Sequence, residues 1–180
     1  ALWPALPGGA FWAPRPRGYN VDSFGHAATL PQLLKQAGLD YYVFFRPGPH
    51  EKALPQGPFW WEGPGGARVL ACRPPLHYGT SGEADIVARI KEAAAQAPEG
   101  FPAVLCFYGV GNHGGGPTRR NVQEIVEMAS QQGPARPVFA SPEPFFERAT
   151  AARSDWPVVR DELQHHSRGC YTALSRIKRE

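Results

Sequence analysis

Apolar positions recur along the chain with two different periods. Leu30, Leu33, Leu34 and Ala37 fall at i, i+3, i+4 and i+7, the stripe of an amphipathic helix. Thr29 precedes that stripe as the N-cap, Pro31 sits in its first turn, and Gly38 stops it. DYYVFF at 40–45 is instead continuously apolar, as a strand covered on both faces is. PFWWEG and ARVLAC flank GPGG at 63–66 and predict a hairpin. A helix is predicted over 83–95 with Ile86, Ile90 and Ala94 on one face, and PAVLCFYGVG at 102–111 reads as another buried strand. The next helix covers 119–132, capped by Thr118, striped by Val122, Ile125, Val126 and Ala129, and ended by Gly133. Residues 18–22 read as a strand end, PVFAS and PVV as short strands, PEPFFERAT as a helix opened by proline, and GCYTALSRIKR as a closing helix. Strands alternating with helices predict an α/β fold, a mostly parallel sheet flanked by helices. Residues 1–17 are rich in Pro, Gly and Trp without a period and read as an irregular N-terminal arm.

Composition narrows the function classes. A chain of 180 residues with 42 % apolar content can bury one real core. Its 20 glycines and 20 prolines are not periodic, so they signal turns and not collagen. Net charge is +3, and the basic residues are dispersed apart from the SRIKRE end, which reads as a solvated helix face. A nucleic-acid partner is therefore not expected. No stretch approaches the ~18 apolar residues of a membrane helix, so no membrane partner is expected. Cys72, Cys106 and Cys170 form no CxxC pair and read as reduced thiols, which points to a cytoplasmic setting. The opening residues show no signal peptide and no initiating Met, and the chain is expected to be a piece of something longer.

In open α/β sheets, ligands gather at the carboxyl ends of strands. Three polar clusters fall there: Asp22 with Phe24, Gly25 and His26; Arg46 with His50 and Glu51; and Asn112 with His113. An ionised Asp22 can bind a cation or attack an electrophilic carbon. His26 could be a metal ligand or orient Asp22, but as an isolated histidine it reads first as a hydrogen-bonded structural residue. Phe24, Tyr41, Tyr42, Trp60, Trp61 and Tyr78 offer aromatic faces for a sugar ring. Gly109, Gly111 and Gly114 match GxGxxG, but no acidic residue closes a second strand at the expected spacing, and Pro117 stands where a P-loop needs Lys.

NVDSFGHAATLPQLLKQAGLDYYVFFRP, HEKALP, FWWEG, YGVGNHGGGPT and ELQHHSRGCYTALSRIKR together resemble the N-terminal catalytic domain of glycoside hydrolase family 38, the zinc-dependent α-mannosidases. The resemblance covers residues 18–180. It implies a partial catalytic domain, incomplete at both ends, and one layer of a (β/α)7-type barrel. It also implies retaining hydrolysis of α-mannosidic bonds in a mannose-containing oligosaccharide, with homo-oligomeric full-length homologues. Asp22 would be both nucleophile and Zn2+ ligand, Arg46 would approach it, Phe24 would pack beneath the sugar, and Tyr78 would reach the same pocket. Two departures stand out. Asn112 and His113 occupy the region of the family's acid/base carboxylate; Asn112 cannot donate a proton at useful rates, so either His113 or a carboxylate elsewhere does the job, or this step is impaired. The His-x-Asp pair of the zinc site is absent, and His165 and His166 precede a different segment, so one expected zinc ligand is present. The resulting expectation is a fragment of an α-mannosidase, inactive as the isolated chain. The alternatives are a non-catalytic sugar-binding remnant of the same fold and a nucleotide-binding α/β domain using the 109–114 glycines.

Overall fold

Alternate residues of the two central strands go to opposite faces of one sheet, which is why their sequences are apolar throughout. The computed structural model describes residues 17–81, 85–111 and 115–165. The sheet has the order β1-β2-β4-β3-β5, with β1 Arg17–Asn20, β2 Tyr41–Phe44, β3 Pro58–Glu62, β4 Arg68–Cys72 and β5 Val158–Val159. The β1·β2, β2·β4 and β3·β5 ladders are parallel, and only β3·β4 is antiparallel. The α/β class and the mostly parallel sheet read from the sequence are both present. One face carries Val43, Phe45, Leu70 and Cys72 against Phe145, Phe146 and Ala149 of α4, Pro142–Ala152. The other carries Tyr42, Phe44, Val69 and Ala71 with Phe59, Trp61, Leu163 and Leu34 of α1, Leu30–Gln36. Helices α2, Ile86–Ala94, and α3, Arg119–Ser130, make a smaller cluster through Ile86, Ile90 and Ile125.

Local chemistry sets the element ends. Gly38, at φ +75°, closes α1: its N–H reaches the Lys35 carbonyl, while Leu39 N–H reaches Leu34, the paired bonds of a Schellman stop. Asp85 and Thr118 cap α2 and α3, accepting from Ala88 N and Asn121 N. Gly63 N–H to Ala67 O at 2.9 Å closes the β3–β4 hairpin. Among the described residues, no helix is long and apolar enough to cross a membrane.

Several expectations fail for identifiable reasons. Thr29 has helical backbone angles, φ −83° and ψ −7°, so its side chain makes no cap bond. Residues 102–111 are apolar but form no strand; a lone bridge pairs Val110 with Thr80, and the Phe107 carbonyl accepts from the Arg89 guanidinium. Residues 137–141 are not a strand either, and Val138 is 78 % exposed. Val122 and Val126 of α3 lie exposed beside the buried Asn121 and Ile125, and Ala93 rather than Ala94 completes the buried face of α2. The first residues of the predicted 83–95 helix, the 1–16 part of the arm and the closing helix lie outside the described residues.

One polar side chain sits deep in the α1-side layer. His26 is 3 % exposed and lies edge-on to Tyr42, Phe44 and Trp61. Its Nδ1 is 2.9 Å from the Tyr42 hydroxyl, and its Nε2 is 3.0 Å from the Arg46 carbonyl. Burial pushes its pKa down from 6.5 to about 4, partly offset by the bond to the Arg46 carbonyl.

Two expected outcomes follow from this core. Trp61→Ala removes a fully buried indole and its bond to the Asp161 carbonyl, and should cost about 3–5 kcal/mol in urea unfolding. Val138→Ala, on the exposed 137–141 segment, should change stability by under ~0.5 kcal/mol; equal losses would contradict this core. Because the folded pKa of His26 lies below its unfolded one, its contribution is complete above about pH 6.5 and is lost as pH falls towards 4. That contribution amounts to about 3 kcal/mol, so the fall in stability between pH 7 and 4 should be shallower by that amount in His26→Phe than in the parent chain.

Candidate active site at the carboxyl edge of the sheet

The parallel register of β1 and β2 brings the candidate site together. Asn20 is paired with Phe44, and both strands end at that pair. Both chains therefore leave the sheet at the same edge, and Asp22 and Arg46 each stand two residues beyond it. Arg46 Nε donates to Asp22 Oδ1 at 2.6 Å. The Asp22 side chain is 51 % exposed, so its carboxylate faces solvent and not the packed interior. Its pKa is held below the ordinary carboxylate range by the Arg46 hydrogen bond, helped by the Arg46 charge, the Tyr78 hydroxyl and His77, against a smaller opposing effect of burial. Asp22 is thus ionised at neutral pH, as a nucleophile or a cation ligand must be.

Each neighbour of Asp22 has its own support. The Arg46 guanidinium carbon stands 5.6 Å from the centre of the Phe24 ring, within cation–π range. Tyr78 packs edge-on against Phe45 at 5.4 Å and stacks on His77 at 4.1 Å. The loop after Arg46 is braced by Arg73, whose guanidinium donates to the Pro47 and Lys52 carbonyls at 3.0 and 2.9 Å. The Asp22 turn is set by Asn20 Oδ1, which accepts from Ser23 N, and by Ser23 Oγ, which donates to the Gly25 carbonyl. Gly25 has no room for a side chain: a Cβ would stand 2.7 Å from the Gln164 Cα, because His26 and Leu163 exchange two backbone hydrogen bonds there.

Four of the residues singled out from the sequence therefore meet: Asp22, Phe24, Arg46 and Tyr78. Asn112, His113 and His166 lie outside the described residues. His165 accepts from Lys52 Nζ. Glu51 accepts from Gly48 N within its own loop, and His50 lies against Gly48 in that same loop. Of the aromatic set, Tyr42 and Trp61 are core, Tyr41 stacks on Phe146, and the Trp60 indole N–H donates to the Ser154 carbonyl. His77 was missed; it follows the carboxyl end of β4, which is parallel to β2 and opens on the same edge.

Two chemistries are poorly served. The amides of Gly109, Val110 and Gly111 donate to Thr80 Oγ1, the Gly116 carbonyl and the Thr80 carbonyl, so they do not form a phosphate cradle. Among the described residues, no three His, Cys, Asp or Glu side chains converge to hold a metal ion. A zinc site takes three or four protein ligands. Asp22 would be a single candidate ligand, and its Oδ1 is already engaged by a guanidinium. The described residues do not by themselves fit zinc.

The chain matches the Glycosyl hydrolases family 38 N-terminal domain over residues 11–165. It is 30 % identical over 178 residues to Alpha-mannosidase 2C1 of Homo sapiens, covering 94 % of this chain and 16 % of that protein. Alpha-mannosidase G of Dictyostelium discoideum is 28 % identical over 165 residues, covering 88 % of this chain and 15 % of that protein. Alpha-mannosidase of Saccharomyces cerevisiae is 26 % identical over 182 residues, with 94 % and 16 % covered. A crystal structure of an alpha-mannosidase from Enterococcus faecalis matches with a TM-score of 0.60 at 22 % identity, over 86 % of this chain and 18 % of that one, which speaks to the fold. The chain spans about one sixth of the length of the curated relatives it matches. With α/β architecture, sequence similarity and the 11–165 match in agreement, the chain belongs to the glycosyl hydrolases family 38, as part of its N-terminal domain.

Proposed function

We propose that this chain carries the nucleophile side of an α-mannosidase site, with Asp22 as the attacking carboxylate. The observation that carries the reading is the Asp22–Arg46 pair: an exposed, ionised carboxylate fixed at the ligand-binding edge of an α/β sheet, beside an aromatic ring. In this reading Asp22 attacks the anomeric carbon of an α-mannoside, the aglycone leaves with a proton from a general acid, and water resolves the mannosyl-enzyme with overall retention. Arg46 and the Tyr78 hydroxyl keep the attacking oxygen charged and aimed. Phe24 supplies the ring on which the sugar's apolar face packs.

The isolated chain is proposed to bind a mannoside without turning it over. The groups acting on Asp22 among the described residues are Arg46, Tyr78 and His77, and none is a carboxylic acid. The acid/base role is proposed for His113, in the Asn112–His113 pair, with a carboxylate elsewhere as the alternative. A zinc ion would take Asp22 as one ligand and its others from outside the described residues. A mannose-containing oligosaccharide is the proposed substrate, and homo-oligomers are proposed for the full-length homologues. The cytoplasmic setting is supported by Cys72 and Cys106, both free thiols.

The test is an amide chemical-shift titration of the chain with methyl α-mannoside, run alongside an aryl α-mannoside hydrolysis assay. Shifts confined to the segments of Asp22, Phe24, Arg46 and Tyr78, with a Kd on the order of millimolar, are expected, together with no detectable hydrolysis. Asp22→Ala should weaken binding at least severalfold. Shifts centred elsewhere, or a titration indifferent to Asp22→Ala, would contradict the assignment.

A further inference from the structure

The register of β1 and β2 explains why Asp22 and Arg46 meet, but a loop on a strand end does not hold its position by register alone. We propose that His26 and Tyr42 act as positioning residues for Asp22, clamping both ends of its loop onto β2 without touching the carboxylate. The functional meaning of the clamp rests on the reading of Asp22 as nucleophile; its geometry does not.

The clamp follows from counting protons. The Tyr42 hydroxyl has one proton to give, and His26 Nδ1 lies 2.9 Å away. The Arg46 carbonyl, 3.0 Å from His26 Nε2, can only accept. A neutral imidazole meets both partners in one tautomer: Nε2–H donates to Arg46 O, and bare Nδ1 accepts from Tyr42 O–H. The oxygen of Tyr42 also bonds the side chain of Asn20. Asn20 Oδ1 already accepts from Ser23 N, which leaves its amide N–H to face Tyr42. Asn20 and His26 bracket Asp22 in sequence, and both converge on Tyr42 of β2. His26 is further pinned by its two backbone bonds with Leu163. The far end of the relay is the backbone of Arg46, whose side chain grips Asp22. In this tautomer both ring nitrogens are engaged, which leaves His26 no free lone pair to offer a metal ion.

The wild-type chain, labelled with 15N, decides the tautomer directly: His26 should show a protonated Nε2 and a bare Nδ1. Tyr42→Phe deletes one oxygen and keeps the packing of the ring. In that variant the Arg46 Nε–H should exchange with solvent about fivefold faster, the equivalent of one lost hydrogen bond, while the amides of β2 and β4 keep their protection. A role confined to core packing would leave Arg46 exchange unchanged. The Nδ1–H tautomer in the wild type, or unchanged Arg46 exchange in a folded Tyr42→Phe chain, would overturn the proposal. If Tyr42→Phe does not fold, the wild-type tautomer decides alone. Neither readout requires sugar binding or turnover, so the clamp can stand while the mannoside titration fails, and the reverse.

Discussion

A single pairing governs this molecule: β1 lies parallel to β2 with Asn20 opposite Phe44. Parallel strands exit on the same side, so the residues just past their ends become neighbours however far apart they stand in sequence. Asp22 and Arg46 are 24 residues apart and within hydrogen-bond distance. Slipping the ladder by one residue would turn the β2 side chains to the opposite faces and move Asp22 away from Arg46. The apolar commitments of Tyr42 and Phe44 to one face and Val43 and Phe45 to the other forbid that slip.

The direction of causation runs from fold to pair. An ion pair between side chains 28 % and 51 % exposed stabilises a protein by well under ~1 kcal/mol once solvent screening and side-chain entropy are counted. Burying Trp61, Phe44 and Phe59 contributes several times that amount. The core holds the carboxylate and guanidinium in place, and their mutual contact lowers the pKa of Asp22. His26 links the two levels: its ring belongs to the core, and its Nε2 reaches the backbone of Arg46.

Much of the fold could be read from local pattern, because the two periods report directly on covered faces. DYYVFF and ARVLAC are apolar on both sides of the pleat, and the sheet is covered on both sides. The same signal misleads at 102–111, where an equally apolar run forms no ladder, since a strand needs a partner edge that its own sequence does not encode. In α3 the period locates a stripe but not whether a neighbour covers it, so Val122 and Val126 stay exposed. Asp22, Phe24 and Arg46 were legible through the motif and the strand-end rule. Tyr78 entered through the resemblance, while the contribution of His77 depends on the β2·β4 ladder, a long-range fact invisible to spacing. The role of His26 was open for the same reason: nothing local says that Tyr42, 16 residues on, will face it.

The central claim is that Arg46 grips the Asp22 carboxylate at the edge of the sheet and lowers its pKa. A carbon-13 titration of the Asp22 side-chain carboxyl, in the parent chain and in Arg46→Ala, tests it most directly. The account predicts a pKa below the ordinary aspartate range in the parent chain and a return to that range in the variant. The same pKa in both chains, or one above the ordinary range in the parent, would contradict it.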